Sequence, residues 1–394
     1  MSDTPDIIKE SRAAFARLDL TRVPSPCFVV DEVAIERNMK ILRDVADRSG
    51  AHVFLALKAF SMFALAPLIG RYLHGVCASG IHEARLGAEH FEGEVATFCA
   101  GYKEDDLREI LLLSDHVIFN TPAQHRRFRP LVDAARAEGR QIEVGLRINP
   151  EHSEGWNAKY DPAAACSRLG TPISQLTDAD MDGIDGLHMH TLCEQDFAPL
   201  KRTWEAVEDR LGPWLANMKW MNLGGGHHIT RPDYDRDGLV DFVSTLSARH
   251  GVQVYLEPGE ACALQAGVLV GEVLDLPENG MRLAISDISA TCHMPDVIEA
   301  PYRPDLLGER DEGQAYRIGG PSCLAGDVVG DYIPAEPFRI GDRFAFLDQA
   351  HYSMVKTNTF NGVPLPALAL WNSETDDLRV LREFGYDDFL TRLS

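Results

Sequence analysis

Val53-Phe-Leu-Ala-Leu-Lys58 is an apolar run whose only ionisable group stands at its last position. A run this short and this apolar is typical of a strand buried on both faces, as in a parallel sheet. Burying a lysine is costly unless its charge is paired or lost, so we expect a chemical reason for Lys58 at the strand end. A Schiff base with a carbonyl cofactor is one such reason. The alternative is a lysine that simply leaves the sheet and reaches water.

Strand and helix patterns alternate on both sides of this run. A strand at Cys27–Asp31 and a helix at 32–48 come first, and short apolar strands separated by helical stretches then continue as far as Pro258. This repetition predicts a closed parallel (β/α)8 barrel with the helices outside. The predicted barrel strands are 52–56, 75–78, 96–99, 116–119, 142–148, 186–189, 220–223 and 253–256.

The pattern changes from about Gly267 onward. Strands at 268–276, 282–288, 316–319, 327–332 and 343–347 are separated by turns rich in Pro, Gly and Asp, which predicts an antiparallel β-domain. The fold class is therefore α/β, a barrel followed by a β-domain. We expect three parts, which are an N-terminal segment (1–31) whose strand joins the β-domain, the barrel (32–266) and the C-terminal β-domain (267–394).

Composition restricts the classes of function. The 394 residues include 38 Lys and Arg against 60 Asp and Glu, a formal net charge of −22. Such a charge disfavours non-specific binding to nucleic acid or an anionic membrane and favours a cationic ligand, although solubility alone also explains many acidic proteins. The eight cysteines are scattered without a C-x-x-C pair, which indicates reduced thiols. No apolar run approaches the roughly 20 residues of a spanning helix, so we expect a cytoplasmic protein.

Polar side chains stand at the ends of several predicted barrel strands, where the catalytic groups of such barrels collect. Arg147 ends the fifth strand, and a structural ion pair is its alternative role. His188 and His190 lie two apart on the sixth strand, so their imidazoles share one face. Two such histidines could chelate zinc, but no further ligands at metal spacing follow, and stacking on a ring is an equally good use of one imidazole. We therefore predict no metal.

Glycine-lined turns follow the last two predicted barrel strands. Gly224-Gly225-Gly226 exposes backbone N–H groups, which suits a phosphate, although a triple glycine is more often only a flexible turn. The last strand ends in Glu257-Pro-Gly259-Glu260, with a carboxylate at its inner end and a second glycine that allows close approach. Lysine, arginine, imidazole, carboxylate and glycine turns together form the set that pyridoxal 5'-phosphate needs. The lysine bonds its aldehyde, the carboxylate keeps its ring nitrogen protonated, and the glycines bind its phosphate.

Several separated segments resemble the barrel-type pyridoxal-phosphate decarboxylases, the family of the ornithine, arginine and diaminopimelate enzymes, with alanine racemase as a relative. The resemblance covers nearly the whole chain and is greatest to the carboxynorspermidine/carboxyspermidine decarboxylases. The segments that carry it are LALKAFS at 55–61, GVCAS at 75–79, HEARLG at 82–87, HMHTLCE at 188–194, EPGE at 257–260, GPSC at 320–323, DQAHY at 348–352 and TFNG at 359–362.

This resemblance implies an alanine-racemase-like fold, pyridoxal 5'-phosphate as cofactor, and decarboxylation of carboxynorspermidine or carboxyspermidine in polyamine biosynthesis. It implies a homodimer with shared active sites, in which Cys323 of one subunit completes the site of the other and donates a proton to Cα. It also places Tyr352 and Arg147 on the cofactor phosphate, His190 against the ring, and Asp296 in the substrate site.

Two positions depart from the ornithine enzymes of this family. Glu260 replaces an arginine beside the phosphate, and Leu324 replaces the aspartate that holds a distal substrate amine. We expect Glu260 to bind an inner ammonium of a carboxylated polyamine, the alternative being a solvated loop acid. Other functions stay open: a decarboxylase of ornithine or diaminopimelate type, an amino-acid racemase on the same fold, a non-catalytic cofactor-binding homologue, and a zinc hydrolase.

Overall fold

The computed structural model of the protein describes residues 7–155 and 158–394, so residues 1–6 of the predicted N-terminal segment lie outside it. The strands of the described residues are β1 (Cys27–Asp31), β2 (His52–Ala56), β3 (Gly75–Ala78), β4 (Glu94–Phe98), β5 (His116–Phe119), β6 (Glu143–Asn149), β7 (Thr171–Pro172), β8 (Gly186–His188), β9 (Trp220–Asn222), β10 (Gln253–Leu256), β11 (Gly267–Asp275), β12 (Arg282–Ser286), β13 (Tyr316–Gly319), β14 (Val328–Tyr332), β15 (Arg343–Leu347), β16 (Ala367–Asn372) and β17 (Asp377–Arg382).

The α-helices of the same residues are α1 (Ile7–Phe15), α2 (Glu32–Ser49), α3 (Ala66–Ile69), α4 (Ile81–His90), α5 (Glu104–Leu113), α6 (Pro122–Ala137), α7 (Phe197–Leu215), α8 (Arg236–His250), α9 (Glu260–Ala263), α10 (Ala290–His293), α11 (Asp296–Glu299) and α12 (Tyr386–Leu390). None of the described helices combines the length and the apolar character needed to cross a membrane.

The chain forms two compact units. One unit is Asn38–Cys262, and the other combines the described residues up to Arg37 with Ala263–Ser394. The first division between them falls inside helix α2, and the second falls at the end of helix α9.

A closed barrel of parallel strands makes up the Asn38–Cys262 unit. Strands β2, β3, β4, β5, β6, β8, β9 and β10 pair in that order, and β10 pairs with β2 to close the ring. The short strand β7 pairs only with the end of β6. The predicted barrel is confirmed, and its strand ends agree with the prediction to within two residues.

Aromatic side chains fill the interior of the barrel. Trp220 and Tyr255 are buried there together with Phe54. A Cβ at Gly186 would lie 2.0 Å from the Trp220 ring, and a Cβ at Gly145 would lie 2.5 Å from it. Glycine at these two positions therefore makes room for the indole, and the barrel interior is a packed core rather than a pore.

Local sequence sets the ends of the helices that surround the barrel. Helix α6 begins after Thr121, whose hydroxyl accepts the N–H of Gln124, and Pro122 occupies its first turn, where no N–H donor is needed. Helix α8 begins after Asp235, which caps it in the same way, and ends at Gly251 in the left-handed conformation with φ 69°.

The other unit contains a mixed sheet. Its strand order is β14-β13-β12-β11-β1-β16-β17, and β15 also pairs with β11. Strands β1 and β16 run parallel, as do β12 and β13, so the prediction of an antiparallel domain is wrong for these two pairs. The sequence prediction also lacks β16 and β17. Strand β17 is an edge strand whose side chains are mostly exposed, and its alternation is limited to Leu378 and Val380 between charged residues, which is too short to indicate a strand by itself.

Strand β1 explains why this sheet has two cores. Phe28 belongs to one buried cluster, with Phe344 and Phe346, whereas its neighbour Val29 belongs to the other, with Trp371. Successive residues of a strand point to opposite faces, so each face of the sheet buries its own cluster.

Candidate active site

Three neighbouring strands bring three polar side chains together at the C-terminal end of the barrel. His188 of β8 is in register with Asn222 of β9, and Asn222 is in register with Tyr255 of β10. Glu257 follows Tyr255 by two residues and so lies on the same face. Asn222 Nδ2 donates to Glu257 Oε1 at 2.7 Å, and His188 Nε2 lies 3.2 Å from Oε2. Each carboxylate oxygen therefore has its own donor.

Glu257 is ionised in this arrangement. Burial by itself raises the pKa of a carboxyl group. His188, the hydrogen bond from Asn222 and the positive charge of Lys58 outweigh that effect and lower the pKa of Glu257 to about 2. Burial also lowers the pKa of His188, so its ring is mostly neutral at neutral pH and carries its proton on Nε2, facing Glu257.

Lys58 follows β2 and lies at the same end of the barrel. The residues on either side of it are buried, but the Lys58 side chain is exposed. The expectation of a costly buried lysine is therefore wrong, because the amine meets solvent and no burial penalty has to be offset. Because β2 pairs with β10, Lys58 lies at the same end of the barrel as Glu257, and its charge lowers the pKa of Glu257 and that of His190.

His190 is held by the triple-glycine turn. The N–H of Gly225 donates to His190 Nδ1 at 2.9 Å, so the neutral ring carries its proton on Nε2. Burial lowers the pKa of His190 well below its ordinary value. A Cβ at Gly224 would lie 2.6 Å from His190 Cβ, so only glycine lets the turn approach the ring this closely.

The glycine amides are not all available to a ligand. Gly224 donates its N–H to Asn222 Oδ1 at 2.8 Å, and Gly225 donates to His190. The amide of Gly226 (φ +81°) is the one of the three for which the described residues provide no acceptor. A phosphate at this turn would therefore bind chiefly through Gly226 and the backbone that follows it.

Gly259 has a packing role that the sequence does not reveal. A Cβ at Gly259 would lie 2.6 Å from the Cβ of Ala59, the residue after Lys58. The carbonyl of Pro258 also accepts the N–H of Ala56 at 3.0 Å. The turn after β10 is thus fitted against the chain segment that carries Lys58.

Arg147 lies beside His190 and the ring of Phe98. Its Nη2 donates to the His190 carbonyl at 3.1 Å, and its guanidinium carbon lies 4.5 Å from the centre of the Phe98 ring. Burial lowers the pKa of Arg147 to about 10, so it stays charged at neutral pH. Its direct contacts are therefore a carbonyl and an aromatic face, and the charge of Glu257 acts on it as well.

Glu260 begins helix α9 directly after the Glu257 turn. Its Oε2 lies 3.2 Å from Nε2 of His228, and its side chain is only 16% exposed. A solvated loop acid, the alternative reading of the sequence, does not describe this position. A cationic ligand at Glu260 would have to share the carboxylate with His228 or replace it.

Three more predicted residues lie in the sheet unit, and Cys323 is the first of them. Its thiol is exposed, and its N–H donates to Asn361 Oδ1 at 2.8 Å. The loop that carries it is held by the buried Asp327, which accepts the hydroxyls of Ser289 at 2.9 Å and Ser322 at 2.6 Å. Cys323 therefore stands at the surface on a well-anchored loop.

Asp296 and Tyr352 share a lysine within the sheet unit. Asp296 Oδ1 lies 2.6 Å from Lys356 Nζ, and that ammonium lies 5.6 Å from the centre of the Tyr352 ring. Tyr352 has a left-handed backbone with φ 48°, a conformation that side-chain-bearing residues seldom adopt. A substrate amine at Asp296 would compete with Lys356.

Sequence reasoning missed Asn222, Phe98 and His228 as members of the site. Asn222 carried the same signal as Glu257, a polar residue at the inner end of an apolar strand. Phe98 carried none, because an aromatic residue at a strand end is usually part of the core. His228 gave no sign that Glu260 would be its partner.

Comparison with known proteins decides the family. The family described as pyridoxal-dependent decarboxylase, C-terminal sheet domain, matches residues 27–350. The chain belongs to the pyridoxal-dependent decarboxylase family. The resemblance inferred from the sequence and the predicted fold class are both confirmed.

Individual members of this decarboxylase family are similar over nearly the full length. Carboxynorspermidine/carboxyspermidine decarboxylase of Campylobacter jejuni is 38% identical over 94% of this chain and 99% of that protein. Carboxyaminopropylagmatine decarboxylase of Synechocystis is 40% identical over 95% of this chain and 96% of that protein. The crystal structure of the Campylobacter jejuni carboxynorspermidine decarboxylase complexed with norspermidine superposes with a TM-score of 0.86, covering 94% of this chain and 100% of that one.

The residues at the end of the barrel fit the cofactor of this family, pyridoxal 5'-phosphate. An exposed amine at Lys58 and an ionised carboxylate at Glu257 serve its aldehyde and its ring nitrogen. The turn beside them has no room for side chains, since a Cβ at Gly226 would lie 2.0 Å from the carbonyl oxygen of Leu192. The Gly226 amide, for which the described residues provide no acceptor, is a backbone donor of the kind that a phosphate binds.

Proposed function

We propose that this chain decarboxylates carboxylated polyamines of the carboxynorspermidine and carboxyspermidine type in polyamine biosynthesis. The observation that carries the proposal is the buried, ionised Glu257, which shares one end of the barrel with the exposed amine of Lys58. The names of the similar proteins support the reaction and the class of substrate. The acidic balance of the chain suits a polycationic substrate.

Each residue of the site has a distinct task in this reaction. The bound cofactor supplies an electron sink for the negative charge left on Cα when CO2 departs. Lys58 holds the cofactor aldehyde, and Glu257 holds a proton on the ring nitrogen because an anion there stabilises the N–H⁺ form. His190 lies against the ring. The Gly226 turn, Arg147 and Tyr352 bind the phosphate, and the Cys323 thiol donates the proton that Cα finally receives.

Glu260 is the residue to which we assign recognition of the polyamine. An inner ammonium of the substrate would take the place of His228 as the partner of the carboxylate. A charge-assisted hydrogen bond of this kind contributes roughly 1.5–3 kcal/mol. Asp296 is proposed as a second acid for the substrate, with Lys356 as the cation to be displaced.

We also propose that the active sites are completed in a homodimer in the cytoplasm. The exposed Cys323 thiol is flanked in sequence by Leu324, 43% exposed, and its loop is bonded to Asn361, next to Phe360, 48% exposed. An apolar surface around an exposed thiol suits contact with a second copy of the chain. Mixing Lys58→Ala with Cys323→Ala protein tests the sharing, because only shared sites regain activity on mixing, and no recovery would contradict shared sites. A monomeric mass in solution would contradict the homodimer.

A second substrate deserves a direct test. The Synechocystis relative is named for carboxyaminopropylagmatine, a substrate that ends in a guanidinium group instead of an amine. Both compounds therefore belong in one assay.

Release of CO2 from a panel of amino acids tests the proposed function. The panel is carboxyspermidine, carboxynorspermidine, carboxyaminopropylagmatine, ornithine, lysine and diaminopimelate. We expect high kcat/KM for carboxylated polyamines and low values for the last three, because Leu324 supplies no acid for a nearby distal amine. Efficient turnover of ornithine or diaminopimelate would contradict the substrate class, and racemised product without CO2 would contradict decarboxylation.

A further inference from the structure

The partners of Glu257 have a role that goes beyond the proposed function but depends on it. Glu257 Oε1 accepts from Asn222, and Oε2 faces Nε2 of His188. All three side chains are buried, with exposures of 8% for Glu257 and 2% for each partner. The orientation and charge of this carboxylate are therefore set by two neighbours and not by solvent.

Proton placement on His188 follows from its surroundings. Nδ1 of His188 is buried and has no hydrogen-bond partner among the described residues. A doubly protonated ring would bury an unsatisfied Nδ1–H donor and add a cation near Arg147 and Lys58. The neutral form with the proton on Nε2 avoids both costs. It leaves His188 as a fixed donor towards Glu257.

Packing keeps that donor in place. The His188 ring is stacked on Phe98, with 5.7 Å between centres and 25° between planes, and lies 6.5 Å from the ring of His190. Asn222 is held through its other amide atom, because its Oδ1 accepts the N–H of Gly224. Neither donor can turn away from Glu257 without breaking a second contact.

We propose that His188 and Asn222 are positioning residues, which keep the Glu257 carboxylate ionised and directed at the ring nitrogen of pyridoxal 5'-phosphate. A buried carboxyl group without these donors would take up a proton, and a neutral acid stabilises a pyridinium far less than an anion does. His188 and Asn222 thus act on the electron sink through Glu257 and do not contact the reacting atoms.

Cofactor discrimination provides a test that does not use turnover. The probe is 1-deazapyridoxal 5'-phosphate, in which C–H replaces the ring nitrogen, and the measurement is the ratio of its Kd to that of pyridoxal 5'-phosphate. We expect the wild type to prefer the natural cofactor by about 10–100-fold, the value of one charge-assisted hydrogen bond. His188→Leu should lose most of this preference, and His188→Gln, which keeps a donor, should retain more of it. The ratio cancels any general loss of affinity.

Two further variants distinguish a failure of this inference from a failure of the proposed function. His125→Leu is the matched control, because His125 is also buried but lies on helix α6, and it should keep the wild-type ratio. Glu257→Leu should abolish the preference. If Glu257→Leu abolishes the preference but His188→Leu and Asn222→Ala keep the wild-type ratio, the positioning role of His188 and Asn222 is wrong, whereas the role of Glu257 at the ring nitrogen is supported. If Glu257→Leu keeps the ratio, the role of Glu257 is wrong as well. Asn222→Ala carries the test if His188→Leu fails to fold.

Discussion

Both ends of the barrel hold a glutamate paired with histidine, yet only one end is a candidate active site. At the N-terminal end, Glu94 Oε2 lies 2.6 Å from His116 Nε2, and Oε1 lies 3.1 Å from His52 Nδ1. At the C-terminal end, Glu257 Oε2 lies 3.2 Å from His188. Burial raises the pKa of both carboxyl groups, but their partners lower it to about 2 in each case.

The surroundings of the two glutamates are what differ. His116, the partner of Glu94, packs edge-on against Trp220 and Tyr255, with ring centres 5.4 and 5.2 Å apart. Glu257 instead has the Lys58 amine and a glycine turn nearby. An ionised glutamate with a histidine partner is thus no sign of catalysis by itself. At the C-terminal end it is the combination of Glu257 with Lys58, His190 and the Gly226 amide that makes a candidate site.

Among the variants that test this comparison, Lys58→Ala should lose the most activity. Lys58→Ala should lose the absorbance of the lysine-bound cofactor and lower kcat/KM by about 10³-fold or more, because both the covalent attachment and a proton-transfer group are lost. Lys219→Ala is the matched control at the other end of the barrel, where Lys219 pairs with Glu143 at 2.9 Å. A borohydride-reducible lysine adduct in Lys58→Ala, located by peptide mapping, would contradict the assignment.

Replacing each glutamate by glutamine should separate their roles. Glu257→Gln should lower kcat by about 10²-fold, since the ring nitrogen loses its anionic partner. Glu94→Gln should keep kcat near the wild-type value and lower the free energy of unfolding by about 1–3 kcal/mol. Steady-state kinetics and urea unfolding of both variants measure this. Near-normal turnover of Glu257→Gln would remove it from the mechanism.

Glu260, which follows the Glu257 turn, should affect substrate binding and not the chemical step. Glu260→Gln should raise KM for a carboxylated polyamine by about 10-fold or more while kcat and cofactor affinity change little. Glu205→Gln, an exposed acid on helix α7, serves as the control. An unchanged KM in Glu260→Gln would exclude this carboxylate from substrate recognition.

Acid pH should reveal the stabilising role of Glu94. Folding lowers its pKa from 4.5 to about 2, so the associated stability is present above pH 4.5 and lost as the pH falls towards 2. Comparing urea unfolding of wild type and Glu94→Gln over this range isolates its share, which we expect to be about 1–2 kcal/mol because solvent screens a partly exposed carboxylate. Parallel pH profiles for the two proteins would show that Glu94 contributes nothing.

Much of the barrel and of its chemistry could be predicted from local pattern. The barrel strands are apolar runs of four to seven residues that alternate with helical stretches. Both the apolar pattern and the limits of each strand can be read within the segment itself, so the predicted strand ends are correct to within two residues. Ionisable groups at strand ends, such as Lys58 and Glu257, stand out because the preceding residues are uniformly apolar. The β-domain was predicted less well, because strand β1 pairs with β16, more than 300 positions away.

The sequence alone determined which chemical groups this protein brings to the end of its barrel: an amine, a guanidinium, imidazoles, carboxylates and glycine turns. Only the tertiary structure decided how they are paired. Register between β8, β9 and β10 gives Glu257 its two donors, the Gly225 amide is taken by His190, and Lys58 is exposed. The physical reason is that side-chain periodicity is a property of one segment. Hydrogen-bond partners and burial depend instead on which segments become neighbours.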